Sequence, residues 1–229
     1  VIGRSSADIE KIFITHYHAD HCGMAGRIQK DSGASIGMSD IDERFLIMNS
    51  RDDVFESRIR PFYLRHGLAG ETIDFLDQLR KGFIKKAMSP FRVDFHLRPH
   101  SQQTFGNRTF QVIPAPGHTR GQVCFYFPDE RLLLSGDHVL PEITPNLGPD
   151  LFHPDFFPLE SFLRALEDIK DMAVDNVYPA HGEPFKDLRG RIEEIKVHHR
   201  DRKSLVTDAI AQGNDTAFLV SLAVFGSDL

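Results

Sequence analysis

The chain has 229 residues, 41% hydrophobic and 26% charged, and its 27 Lys and Arg against 33 Asp and Glu give a formal net charge of −6. That balance fits a soluble globular chain able to bury its own core, and it argues against a general nucleic-acid scaffold. No apolar run reaches about 18 residues, so no membrane span is expected, and only two cysteines, Cys22 and Cys124, are present. Two cysteines exclude a disulfide framework or a four-cysteine zinc site and favour a reducing, cytoplasmic setting. The number that stands apart is twelve histidines, and their positions carry the reading.

In chain order, Lys11 to Thr15 is a short apolar run that predicts a buried strand. It leads into the polar, glycine-containing loop His16-Tyr17-His18-Ala19-Asp20-His21-Cys22-Gly23. Ala34 to Met38 predicts a second short strand. Ser39-Asp40-Ile41-Asp42 reads as a helix start, a Ser cap with an acid three residues on. Helix is predicted from there to about Lys86. Ile73, Leu76, Leu79 and Phe83 recur at helical spacing, with Glu71 and Asp74 near the start and Lys81 and Lys86 near the end, as the helix dipole favours. Strand patterns return at Phe110–Ile113, Gln122–Phe127 and Arg131–Leu134, with Pro128-Asp129-Glu130 as a hairpin turn. Leu159, Phe162, Leu163, Leu166 and Ile169 mark an amphipathic helix opening near Pro158. Asn176–Tyr178 is a last short strand, Asp187 to about Gln212 a charged helix, and Thr216 to Val224 a final short helix.

The histidines concentrate where strands end. His16, His18, Asp20 and His21 fall within six residues. Three later turns each follow a strand and each set a glycine beside a candidate ligand: Pro116-Gly117-His118-Thr119, Ser135-Gly136-Asp137-His138 and Pro179-Ala180-His181-Gly182. Imidazole suits zinc, iron and related ions, and a carboxylate adds a hard oxygen ligand. Four such loops converging on one cleft point to a metal centre.

Taken together, HxHxDH, PGHT, SGDH and PAHG in that order resemble the metallo-β-lactamase-fold hydrolase superfamily, in particular its glyoxalase-II-like and related hydrolase branches. The resemblance spans residues 12 to 184. It implies an α+β fold, a four-layer αββα sandwich, with two divalent metal ions at one edge. Zinc is the first expectation, with iron or manganese as alternatives. By the same resemblance one ion takes His16, His18 and His118 and the other Asp20, His21 and His181. Asp137 bridges them together with a water or hydroxide, and Asp20 also orients the nucleophile. Metal-lowered water pKa makes hydrolysis the reaction class.

The expected organisation is a hydrolase domain over residues 1–184, with 39–90 inserted as a helical lid, and a helical extension over 185–229. The extension, with the basic cluster His198-His199-Arg200, Arg202 and Lys203, resembles the winged-helix-like extension of superfamily members that act on nucleic acid. The superfamily places several strands ahead of the HxHxDH loop, so the first strands of the sandwich are expected to lie outside this sequence. Arg44, Tyr63, Arg65 and His66 on the lid, and His138 beside the bridging Asp, are the candidate substrate contacts. Cys22 and Cys124 are expected to be packing residues. His21 argues against β-lactam turnover. The resulting expectation is a dinuclear hydrolase of a small ester, thioester or lactone. The alternatives are a phosphodiesterase or ribonuclease on the same metals and, ranked lower, an iron-dependent oxidoreductase. The expected partner is a small-molecule substrate. Nucleic acid is not favoured, no membrane is expected, and a homodimer is open.

Overall fold

Alternation along the first strand decides which layers it joins. In β1 (Lys11–Phe13), Ile12 packs against a cluster of Ile14, Cys22, Ala25, Ile36 and Met38 on one face. Phe13 packs against Leu97, Phe110, Val112, Val123, Phe125 and Phe127 on the other. The structure, a computed structural model, describes residues 5–49 and 51–226. Its two sheets are stacked on that second cluster.

The first sheet is parallel, β1 with β2 (Ser35–Met38) and β3 (Phe95–His96) in the order β1-β2-β3. The second contains β4 (Gln102–Phe105), β5 (Arg108–Pro114), β6 (Val123–Phe127), β7 (Leu132–Gly136) and β8 (Asn176–Pro179) in sequence order. It is antiparallel except for the parallel pair β7–β8. The space between the sheets is filled by phenylalanine. Phe13 meets Phe95, Phe105, Phe110 and Phe125 at ring-centroid distances of 4.9–6.3 Å. Such pairs add about 0.5–1.5 kcal/mol each beyond their buried area.

Helices cover both outer faces, completing the expected αββα arrangement. Beside the first sheet lies α1 (Ala19–Cys22), then α2 (Ala25–Ser32), which stops at Gly33 in a left-handed cap with φ 73°. Against the second sheet, α7 (Pro158–Ile169) opens on a proline and buries Phe162, Ala165, Leu166 and Ile169, spaced i, i+3, i+4, i+7. Alongside it runs α8 (Leu188–Ala211), whose first turn is held by the Asp187 side chain accepting from Gly190 N at 2.8 Å. Its Leu188, Ile192 and Ile195 enter the same cluster as Phe162, Leu166 and Ile169. The start of the C-terminal segment thus shares the core of the second sheet. A short helix, α9 (Ala217–Phe225), follows. Among the described residues no helix is long and apolar enough to cross a membrane.

Residues 39–90 are largely helical, as expected, but broken. They form α3 (Asp40–Asn49), α4 (Asp52–Val54), a π-helical turn at Phe55–Ile59, α5 (Arg60–Arg65) and α6 (Gly70–Ala87). The predicted inward stripe on α6 is only partly inward. Ile73 is buried, whereas Leu79 and Phe83 are 53% and 57% exposed. The HxHxDH segment also departs from its reading as one loop, because Asp20 and His21 lie on the first turn of α1.

Phe110 is 1% exposed and touches Phe13, Phe125 and Phe127 at 4.9–5.3 Å. Phe110→Ala is expected to lower stability by about 3–5 kcal/mol in urea denaturation, because it strips a fully buried ring from the cluster and leaves a cavity. A loss below about 1 kcal/mol would contradict an inter-sheet core built on these rings.

Candidate metal centre

Each candidate ligand sits where a strand runs out. His16 and His18 follow β1, and Asp20 and His21 occupy the adjoining helical turn. His118 lies in the turn between β5 and β6, Asp137 directly after β7 and His181 directly after β8. Strand ends of both sheets bring the seven together. Their donor atoms fall into three groups, within 4.8 Å in each: His16, His18 and His118; His16, His21 and Asp137; Asp20, His21 and His181.

Asp137 lies between the first and third of these groups and shows one oxygen to each. Its Oδ2 is 3.2 Å from His118 Nε2 and 3.9 Å from His16 Nε2. Its Oδ1 is 3.5 Å from both His21 Nε2 and His181 Nε2. Asp20 Oδ2 stands 3.3 Å from the same two nitrogens, which are 3.3 Å apart. Donors about 2.1 Å from a tetrahedral ion stand about 3.4 Å from one another, so these groups could hold a metal ion.

The polar atoms tell the same story. His16 Nε2, His118 Nε2 and Asp137 Oδ1 are buried without a hydrogen-bond partner, each a deficit of about 1–3 kcal/mol unless something else satisfies it. Burial, followed by the neighbouring imidazoles, pushes His16 down to about 2. Burial and then His118 push His18 to about 4. Both rings are therefore neutral and carry lone pairs, the form that binds metal. Burial opposes charge on His21, but the carboxylates of Asp137 and Asp20 prevail and raise its pKa. Burial alone would raise Asp137 too. The His118 and His21 rings prevail and hold its carboxyl far below the usual range. The residues present fit a divalent metal centre.

Surrounding groups aim these rings. His118 Nδ1 donates to the Asn146 carbonyl at 2.7 Å, which fixes the tautomer and leaves Nε2 for the centre. His16 Nδ1 meets Thr15 Oγ1 at 3.1 Å. Gly117 precedes His118 with φ 141°, where a Cβ would lie 2.4 Å from Phe162 Cβ, so only glycine lets this turn lie so close to α7.

One residue of consequence escaped sequence analysis except as part of a helix start. Asp42 is fully buried and its carboxylate accepts from Tyr17 N at 3.1 Å, Thr119 Oγ1 at 2.7 Å and Gly121 N at 2.8 Å. It ties the segment carrying His16 and His18 to the turn carrying His118. Burial pushes its pKa up to about 6, against the pull of those three donors. The available signal was an acid three residues before Phe45 on the buried face of α3.

The other expected contacts separate. Arg44 lines a cavity of about 410 Å³ beside the cleft. Tyr63, Arg65 and His66 line neither that cavity nor the smaller one at His18 and His118. On α5 the His66 ring packs on Phe62, and its carbonyl accepts from Phe218 N of α9. His138 is fully buried, with its ring on Phe162 at 5.1 Å. Its ring turns into the core, away from the cluster that Asp137 faces. Cys22 is also buried, its thiol pushed up to about 12 by burial, as a packing residue would be.

The family model of the metallo-beta-lactamase superfamily matches residues 1–181. The "Beta-lactamase-like protein 2 homolog" of Caenorhabditis elegans is 24% identical over 89% of this chain, which spans about half (52%) of that relative's length. "Probable metallo-hydrolase YqjP" of Bacillus subtilis (strain 168) is 25% identical over 96% of this chain and 68% of its own. "Atrochrysone carboxyl ACP thioesterase dmxR1" of Cryptosporiopsis sp. (strain 8999) is 30% identical over 45% of this chain and 30% of its own. The crystal structure of a metallo-beta-lactamase family protein from Thermus thermophilus superposes with a TM-score of 0.82 at 28% identity, covering 98% of this chain and 71% of that one.

Asp42→Ala removes the carboxylate that three donors share, two of them buried, and the expected loss is about 3–5 kcal/mol in urea denaturation. Unchanged stability would show that the two segments are held by other means.

Proposed function

This chain belongs to the metallo-beta-lactamase superfamily, and from that membership we propose that it is a dinuclear metallohydrolase of a small ester, thioester or lactone. The observation that carries the reading is the Asp137 carboxylate, one oxygen toward His16 and His118, the other toward His21 and His181. In this reading His16, His18 and His118 hold one divalent ion, Asp20, His21 and His181 hold the other, and Asp137 serves both. Nitrogen and oxygen donors suit zinc first, and iron or manganese also fit. When bound, such ions polarise a carbonyl oxygen and lower the pKa of water to about 7.

The chain's own groups do the rest. The Asn146 carbonyl and Thr15 hydroxyl hold the His118 and His16 rings in register. Asp42 keeps the two strand-end segments from drifting apart. The Asp20 side chain, 55% exposed, is the ligand carboxylate nearest solvent and is placed to take a proton from the attacking water or pass one to the leaving group. Support for an acyl rather than a phosphoryl substrate comes from the thioesterase among the relatives.

A second reading, phosphodiester or RNA cleavage, is favoured by Arg191, His198, His199 and Arg202. These line a cavity of about 540 Å³ against the loop that carries Asn146.

A panel of thioester, lactone, bis-phosphodiester and RNA substrates on metal-loaded protein separates the two. Thioester or lactone turnover is expected, falling to background after dialysis against a chelator and returning with added zinc. Turnover of RNA or phosphodiesters alone would replace the first reading with the second. Full activity after verified metal removal would exclude both.

A further inference from the structure

The cavity beside the cleft has a composition of its own. Along one side α3 presents Ile41, Phe45 and Met48, spaced i, i+4, i+7 and so on one face. Phe152 closes it with its ring edge-on to Phe45 at 5.6 Å. Phe45 and Arg120 also line the smaller cavity at His18 and His118, so the two spaces adjoin. Phe45 in turn stacks on Tyr17, which contacts the His18 ring. The apolar space therefore begins next to the metal centre.

Its charge has one sign. Arg44 and Arg120 line it, and among the described residues no carboxylate does. Arg120 reaches Asp150 only at 3.9 Å and lies over the Phe156 ring, and Arg44 pairs with Asp40 at 3.4 Å on the exposed face of α3. His153 is held by Asp150 at 2.9 Å. At about 410 Å³ the cavity falls within the range of about 300–1,000 Å³ usual for small-molecule sites. A methylene takes about the space of a water, about 30 Å³, so the volume equals about fourteen such groups and a chain of about ten carbons fits within it.

We propose that this cavity takes the acyl chain of the substrate: an apolar, uncharged chain of about six to ten carbons, carried as an ester or thioester. Arg120 stands at the junction, next to the oxygens of the group being cleaved. The proposal rests on the metallohydrolase reading above and adds the substrate class to it. Ile41 and Met48 set the usable length, and the two guanidinium groups exclude a chain ending in a cation.

The test measures binding and turnover separately. Calorimetric titration of the metal-loaded protein with butyrate, hexanoate, octanoate and decanoate is expected to show affinity rising about three- to fourfold per added methylene. Hexylamine is expected not to bind. With acyl thioesters of N-acetylcysteamine, kcat/KM is expected to rise from the acetyl to the octanoyl compound. Met48→Trp, which fills the cavity, should lower the octanoyl-to-acetyl ratio at least tenfold. Ile41→Ala, which widens it, should move the optimum to longer chains and stands in should the tryptophan variant not fold. Leu205→Trp, on the exposed side of α8, controls for a surface tryptophan and should leave the ratio alone. If thioesters are cleaved at a rate independent of chain length and decanoate binds no more tightly than butyrate, the acyl pocket is overturned and the hydrolase reading stands. If no ester is cleaved while fatty acids bind with the expected length dependence and Met48→Trp removes it, the pocket stands and the hydrolase reading fails.

Discussion

The structure turns on a crowding of electron pairs. Imidazoles and the carboxylates of Asp20 and Asp137 converge from four separate segments of chain, and the donor atoms of His21, His118, His181 and the two carboxylates come within 3.2–3.5 Å of a neighbour. Protons alone cannot reconcile them, because burial and mutual repulsion keep His16 and His18 neutral at physiological pH. Asp137 is the point of greatest demand, since it is almost excluded from water and lies within 3.9 Å of His16, His21, His118 and His181. In the proposed reading cations at the two triads would relieve that demand, and the surrounding fold is the frame that keeps the acceptors close in spite of it.

That frame is built in layers. The phenylalanine cluster fixes one sheet on the other, which sets β1 against the ends of β5, β7 and β8. Helices α7 and α8 brace the back of the second sheet, and the contact of Gly117 with Phe162 sets the turn that carries His118. Asp42 then performs across two segments what Asp137 does across the triads: one carboxylate holds separate pieces of chain at fixed distance. Because Asp42 and Phe45 belong to the same helix, the element that fastens the metal-bearing segments also walls the adjoining apolar cavity.

Most of this frame was legible in the sequence where local pattern and tertiary role coincide. The strands around residues 11–15, 34–38, 110–113, 122–127, 131–134 and 176–178, and the helix from Pro158, all appear within a few residues of their expected bounds. The seven metal-capable side chains could be grouped because each sits beside a strand end with few alternative places to point. What escaped were features set by distant partners. Strands β3 and β4 are short, polar or broken, and exist because β2 and β5 offer an edge. His138 reads like its neighbour Asp137 but turns the other way, into Phe162. The stripe on α6 has the period of a buried face, yet its neighbours reach only Ile73. Asp42 looks like an ordinary early-turn acid, and its importance depends on Tyr17 and Gly121 arriving from elsewhere in the chain.

The central claim is that one carboxylate serves two cations. It is tested most directly by metal content per chain, measured by plasma mass spectrometry after equilibration with zinc and removal of free ion, for the wild type and for Asp137→Ala shown by circular dichroism to be folded. The account predicts two ions per chain in the wild type and at most one in the variant. Two ions retained by Asp137→Ala, or no more than one in the fully loaded wild type, would contradict it.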